Sequence, residues 1–224
     1  MKESEFSTAL VKWWSKNGRK FPWRSEKNLY RILVAETLLH RTRAQNVVPV
    51  YLKFIAEFPD IKILSECKTK DVIKITRSLG LTWRWNLLKQ SSITIEKEFF
   101  GQIPLDREKL MSLPGVGDYI ASAIRVFVGG FNDPLIDSNT VRIICRVYGY
   151  EIKDSIKRRK EIRNSYSTLM AGTLPSEFGY ALIDLGASIC VSNKPLCRQC
   201  PVLKYCKSGK LSTEKIRESN INRC

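Results

Sequence analysis

Apolar positions recur at three- and four-residue spacing along most of the chain, which predicts one helix after another and almost no strand. Residues 5–16 set Phe6, Leu10, Trp13 and Trp14 on one stripe, so an amphipathic helix with both tryptophans in the core is expected. Residues 18–23 break the pattern, with Pro22 as punctuation. Residues 29–39 follow as a long apolar stretch of good helix formers, and residues 47–58 and 70–79 again carry the helical period. A helix over 86–100 ends at Gly101 and Pro104, and a short one over 106–112 starts at an Asp106 N-cap. Ile120, Ala121, Ile124, Phe127 and Val128 mark another, stopped by Gly129 and Gly130. Residues 140–147, 155–170 and 178–190 complete the set, and residues 208–224 carry no period and read as a loose tail. The expected class is all-α, with many short helices.

Composition narrows the function. A chain of 224 residues with 43% hydrophobic and 27% charged positions makes one large domain or two small lobes with a sizeable core. Lys and Arg number 38 against 22 Asp and Glu, a net charge of +16, which points to a polyanionic partner and most simply to nucleic acid. No uncharged apolar run approaches the roughly 18 residues of a membrane span. The N-terminus lacks a signal-peptide apolar core and a small-residue cleavage site, so an intracellular protein is expected. Seven cysteines in such a chain argue for a metal site or free thiols rather than a disulfide framework.

Four of those cysteines are grouped: Cys190, Cys197, Cys200 and Cys206, spaced C-x6-C-x2-C-x5-C. Four thiolates in so short a loop can converge on one metal centre. Zinc ribbons offer two separated C-x2-C knuckles, and only one is present here. Four cysteines suit a cubane iron–sulfur cluster. Zinc and unligated buried thiols are the competing readings. Residues 190–210 also hold Lys194, Arg198, Lys204, Lys207 and Lys210 and no acid, which offsets the charge of a thiolate-ligated cluster and suits phosphates outside it. Cys67 and Cys145 lie in apolar stretches and are expected in the core; Cys224 has no assignment.

Leu113-Pro114-Gly115-Val116-Gly117-Asp118-Tyr119 joins two predicted helices through two glycines. Backbone N–H groups of Gly115, Val116 and Gly117, with the positive end of the second helix, can hold a phosphate without reading sequence. An ordinary helix–helix turn is the plain alternative. Further on comes Leu135-Ile136-Asp137-Ser138-Asn139-Thr140-Val141-Arg142. Asp137 precedes a helix and is expected as its N-cap. A carboxylate held there can also stabilise a developing sugar cation, and the two roles are compatible.

The glycine hairpin, the aspartate after it and the cysteine spacing together resemble the helix-hairpin-helix base-excision DNA glycosylases of the endonuclease III and MutY branch. Phe21-Pro22-Trp23-Arg24, Ala35-Glu36-Thr37-Leu38-Leu39-His40-Arg41-Thr42 and Leu182-Ile183-Asp184-Leu185-Gly186-Ala187-Ser188-Ile189-Cys190 look like blocks of the same family. The resemblance runs from about Phe21 to Cys206. It implies two helical lobes with a DNA-binding cleft between them. Residues 22–130 would form a six-helix barrel carrying the hairpin, and residues 1–21 with 131–207 a lobe bearing a [4Fe-4S] cluster on Cys190, Cys197, Cys200 and Cys206. It implies a double-stranded DNA partner, base flipping, Asp137 as the catalytic aspartate and Glu36 as a pocket acid. The expected protein is a cytoplasmic, nucleoid-associated monomer.

The subclass turns on position 119. Bifunctional relatives place a lysine there that attacks the sugar and cleaves the strand. Tyr119 cannot form a Schiff base, so a monofunctional enzyme is expected. Tyr119 looks like the Mig-type thymine glycosylases, which remove T or U opposite G, and would wall the pocket against a purine. The chain also stops soon after the cysteines, leaving no room for the 8-oxoguanine-recognising domain typical of MutY-type enzymes. His40 and Arg41 lie where the family fills the gap left by the flipped base, and Arg suits the O6 and N7 acceptors of the orphan guanine. Trp83-Arg84-Trp85, expected in a loop after Gly80, would wedge or support the opposite strand, Trp83 above all, with at least one of the two tryptophans expected in the core. Lys157, Arg158, Arg159 and Lys160 read as a solvated helix face, and Asp184 as structural. A same-fold alternative is an adenine glycosylase acting opposite G or 8-oxoguanine, with Glu36 protonating the purine. A non-catalytic alternative is an iron–sulfur DNA-binding redox sensor.

Overall fold

The computed structural model describes residues 3–151 and 160–210. Among them the structure is helical, with no strand. Eleven α-helices follow one another: α1 (Glu3–Asn17), α2 (Leu29–Leu39), α3 (Ala44–Glu57), α4 (Ile61–Glu66), α5 (Thr69–Thr76), α6 (Trp83–Phe99), α7 (Arg107–Ser112), α8 (Asp118–Phe127), α9 (Ser138–Tyr148), α10 (Lys160–Met170) and α11 (Pro175–Ser188). The all-α class expected from the periodicity is the observed one. Two compact units divide the chain: Lys20–Phe131, and the two chain ends Met1–Arg19 with Asn132–Cys224.

The Lys20–Phe131 unit is built around α2. Tyr30 and the whole run Ile32 to Leu38 are buried, with Arg31 part-exposed, which explains why this helix reads as apolar on nearly every side rather than as a stripe. Asn28 caps it, its side chain accepting from Arg31 N at 3.2 Å. α2 packs against α3, α6 and α8. The core continues through Trp23, Tyr51, Phe54, Trp85, Leu88, Leu113, Val116 and Ile124.

In the unit formed by the chain ends, α1 packs on α10 and α11, and α9 on α10 and α11. Phe6 and Leu10 are fully buried, but Trp13 and Trp14 are only half-buried. The expectation that both tryptophans are core is therefore corrected. The Trp14 indole lies at the edge of the core because its N–H donates to Asp184 Oδ2 at 3.1 Å. Asp184 itself is buried, and Arg19 binds it through its backbone N–H (3.0 Å) and Nε (2.6 Å). A buried carboxylate with these three donors ties the segment after α1 to α11.

Other departures concern short or uncapped elements. α4 has six residues, too few for a period to register. α6 starts at Trp83, three residues before the predicted start, so Trp83, Arg84 and Trp85 form its first turn rather than a loop. No side chain caps that start, so the usual sequence sign of a helix beginning is missing. Cys67 is half-buried at the end of α4, while Cys145 is buried as expected. Lys157, Arg158, Arg159, Cys224 and most of the expected tail lie outside the described residues.

Candidate active site

In the chain-end unit, Asp137 is the N-cap of α9 and forms a full capping box with Thr140. Its Oδ1 accepts from Thr140 N at 2.7 Å, and its own backbone N–H donates to Thr140 Oγ1 at 2.9 Å. Its Oδ2 accepts from Asn139 Nδ2 at 3.0 Å. Both carboxylate oxygens are thus held, while the side chain keeps partial exposure. The support goes further. Asn139 Oδ1 accepts from Arg142 Nη2 at 2.9 Å, and Arg142 also donates to Gly186 O (2.8 Å) and, through Nε, to Cys190 O (2.8 Å). One chain of hydrogen bonds therefore runs from the cysteine loop to the aspartate. The carboxylate is a fixed anion at a positive helix end, suited to stabilising a cation that forms in front of it.

The cysteine loop follows α11 directly. Cys197 opens one 3-10 turn (Cys197–Gln199), and Cys206 closes another (Leu203–Tyr205). Arg146 Nη1 donates to Cys190 Sγ at 3.3 Å, and Gly209 N donates to Cys206 Sγ at 3.3 Å. Burial first, then the neighbouring Cys190, Cys206 and Cys197, raise the Cys200 thiol to about 12 against the opposing Val202 N–H. None of the six described cysteines is in a disulfide. Among the described residues no group of three or more His, Cys, Asp or Glu is set to hold a single metal ion. A four-iron cubane makes a different demand, because each thiolate takes its own iron. Cations and N–H donors on the sulfurs fit a group that needs them as thiolates.

In the Lys20–Phe131 unit, the hairpin between α7 and α8 is fixed from both sides. Leu113 and Val116 are buried, leaving Gly115 and Gly117 exposed. Ser91 Oγ donates to Pro114 O at 2.6 Å, and Arg107 binds Asp118 Oδ1 at 2.5 Å and Ser122 Oγ at 3.1 Å. Gly115 has φ +81, and a Cβ there would come within 2.9 Å of Leu87 Cβ. Only glycine satisfies both constraints. Beyond it, the first turn of α8 presents amides that have no acceptor within the helix, the arrangement that holds a phosphate.

Glu36 lies in the buried stretch of α2 and is 6% exposed. Tyr119, in the first turn of α8, is half-buried against the unit's core. α2 and α8 pack together, so both residues belong to one helix pair. His40 and Arg41 are exposed just after α2, and Arg41 has a left-handed backbone at φ 57. Burial first, then the cations Arg84 and Arg41, hold His40 below the usual imidazole range, so it is a neutral ring at pH 7. Its edge meets the ring of half-exposed Trp83, with centroids 5.9 Å apart.

No model of a known protein family matches the chain. Individual relatives do. The chain is 37% identical over 204 residues to a thymine-DNA glycosylase of Aeropyrum pernix, covering 88% of this chain and 91% of that protein. It superposes on the structure of a thermostable thymine-DNA glycosylase with a TM-score of 0.87 at 30% identity, over 93% of this chain and 97% of that one. The chain belongs to the helix-hairpin-helix DNA glycosylases. Within that family it is also 35% identical over 204 residues to an adenine DNA glycosylase of Buchnera aphidicola, but there it spans only 58% of the relative's length.

For a glycosylase of this family, the most informative residues not picked out as functional are Asn139 and Arg142. They lie two and five residues past Asp137, yet spacing alone does not separate a partner of the carboxylate from an ordinary helix polar residue. A second signal was Gly186. A Cβ on Gly186 would stand 2.7 Å from Asn139 Cβ, so this glycine is what lets α11 close on Asn139. Gly186→Ala is expected to displace the Asn139 amide from Asp137. Single-turnover base release should fall about tenfold, about 1.4 kcal/mol of transition-state stabilisation, with DNA affinity changed less than twofold. Equal losses in both would contradict a role for Gly186 through Asp137.

Proposed function

We propose that this chain is a monofunctional base-excision DNA glycosylase that removes thymine or uracil mispaired with guanine. Two observations in one chain carry it: a doubly held Asp137 in the chain-end unit, and in the other unit a phenol, Tyr119, in the place after the hairpin where a strand-cleaving relative needs an amine. The net charge of +16 supplies the attraction to duplex DNA. The hairpin amides of Gly115 and Gly117 bind backbone phosphate, so the protein takes hold of DNA without reading its sequence; the Val116 N–H, expected to join them, is instead taken by Leu113 O at 3.0 Å.

The target nucleotide must leave the stack, because its glycosidic bond is out of reach within the duplex. As the C1′–N1 bond breaks, its electron pair leaves with the pyrimidine and the sugar becomes oxocarbenium-like. Asp137 faces that charge. Water adds its oxygen to C1′ and its proton ends on the released base, leaving an abasic site. Thymine has no N7 to protonate, so Glu36 serves the pyrimidine edge by accepting from its N3–H. Tyr119 walls the pocket at pyrimidine size. Arg41 meets the acceptors of the guanine left behind, beside His40 and Trp83.

Cys190, Cys197, Cys200 and Cys206 would hold a [4Fe-4S] cluster. The cluster would cross-link the loop and could exchange one electron. Arg146 and Gly209 N–H stabilise two of its sulfur ligands. No helix among the described residues is long and apolar enough to cross a membrane. The protein works as a monomer on nucleoid DNA.

A second function, adenine removal, is favoured by the burial of Glu36, since a buried carboxyl group suits protonation of a purine. Strand chemistry tests the monofunctional assignment. Borohydride added during turnover of a G·T duplex should trap no covalent complex, and the strand should break only after alkali. A trapped complex would identify a lysine nucleophile and overturn the assignment. Tyr119→Lys is expected to introduce trapping.

A further inference from the structure

Arg84 carries a buried charge that the glycosylase mechanism leaves unused. It stands in the first turn of α6 and is 2% exposed. No acid pairs with it among the described residues; its partners are backbone and hydroxyl oxygens and the ring of Trp85, whose centroid lies 4.5 Å from Cζ. Nη1 reaches Thr37 O and Leu38 O at 3.4 Å and binds His40 O. Both Nη atoms reach Thr42 Oγ1 at 3.3 Å, and Nη2 donates to Leu79 O at 3.2 Å. The carbonyls at the end of α2 have no acceptor role left inside the helix, and a helix C-terminus is its negative end, so a cation is compensated there without a carboxylate.

Thr37 O and Leu38 O close the last turn of α2, and the other oxygens belong to two separate loops. One is residues 40–42, after α2; the other is the turn before α6. Each carries an exposed non-glycine residue in the left-handed region: Arg41 at φ 57 and Leu81 at φ 49. L-residues avoid that region, and such backbones persist where the surroundings hold them. His40, in the first loop, meets the ring of Trp83 at the start of α6, just after the second. Arg84 also lines a pocket shared with Thr37, Trp83, Pro114 and Gly115, which brings the loops beside the phosphate-binding hairpin.

We propose that Arg84 is a positioning residue that clamps these two loops into one DNA-opening edge, with Arg41 and Leu81 as its two tips. This rests on the glycosylase function proposed above. A cationic tip suits guanine acceptors, and an apolar tip suits a gap between base steps. With one buried group setting their separation, the two tips enter the duplex together. Without it each loop relaxes alone. Opening the base pair then suffers, while chemistry on a nucleotide that is already unpaired does not.

The test compares Arg84→Lys and Thr42→Val with the wild-type holoprotein. Lysine keeps the charge but has one nitrogen, which cannot serve both loops. Thr42→Val removes a shared acceptor without touching the buried charge, and so guards against a misfolded Arg84 variant. Single-turnover thymine release is measured on a G·T duplex and on a duplex with the same thymine opposite an abasic spacer, where little pairing has to be broken. Arg84→Lys is expected to slow the G·T duplex about thirtyfold and the spacer duplex less than threefold, with Thr42→Val lying between wild type and Arg84→Lys. Arg41→Ala and Leu81→Ala should be non-additive in wild type and additive in Arg84→Lys. Equal slowing on both duplexes, or none on either, overturns the clamp. Wild-type protein that releases no thymine from either duplex overturns the glycosylase function instead.

Discussion

Asp137→Asn is expected to lower thymine release from a G·T duplex by about a thousandfold or more, about 4 kcal/mol, with duplex affinity nearly unchanged. The asparagine side chain is isosteric, and its Oδ1 can still accept from Thr140 N, so α9 keeps its cap. What disappears is the negative charge. Its amide nitrogen also faces the Asn139 Nδ2 that donates to Oδ2 in the native protein, placing two donors together. Single-turnover kinetics with a parallel binding titration separates these effects. Tight binding without release would also exclude the non-catalytic redox sensor, whose binding has no need of this carboxylate. Unaltered release would remove Asp137 from the mechanism.

The second large effect concerns the cysteine loop. Cys200→Ser is expected to give a colourless protein, with iron falling from about four per chain to near zero. Burial, with the thiols beside it, raises Cys200 to about 12 and keeps it protonated unless a metal compensates. Losing a cross-link that closes a loop of this length costs about 3 kcal/mol, which in a chain of this size lowers Tm by about 10 °C. The loss should reach the active site through the hydrogen bonds from Cys190 O to Arg142, Asn139 and Asp137. Iron analysis and thermal melting check the prediction. A colourless wild-type protein containing one zinc would contradict it.

The sequence carries the helical class because amphipathic periods survive without knowledge of the tertiary structure. α8 and α9 are clear examples, each with an apolar face, and α9 has a capping aspartate besides. The aspartate, the hairpin and the cysteines are legible for another reason: each chemistry demands particular residue types at short spacing. Contacts that join distant segments are not. Trp14 turns its indole N–H to Asp184, which no helical period reveals. The start of α6 is hidden because Thr82 makes no capping hydrogen bond, so Arg84 reads as a loop cation instead of a buried one. Asn139 looks like any first-turn polar residue until α11 is seen to approach it at Gly186.

Base selectivity is the centre of the account, and it rests on Glu36 and Tyr119 along one pair of helices. The most direct measurement is base release from otherwise identical duplexes carrying G·T, G·U, A·G and A·8-oxoguanine, each split into samples with and without alkali. Release of thymine and uracil opposite guanine, with strand breakage only after alkali, is the predicted result. Release of adenine in place of thymine would contradict it, and would assign Glu36 to protonating a purine and Tyr119 to packing.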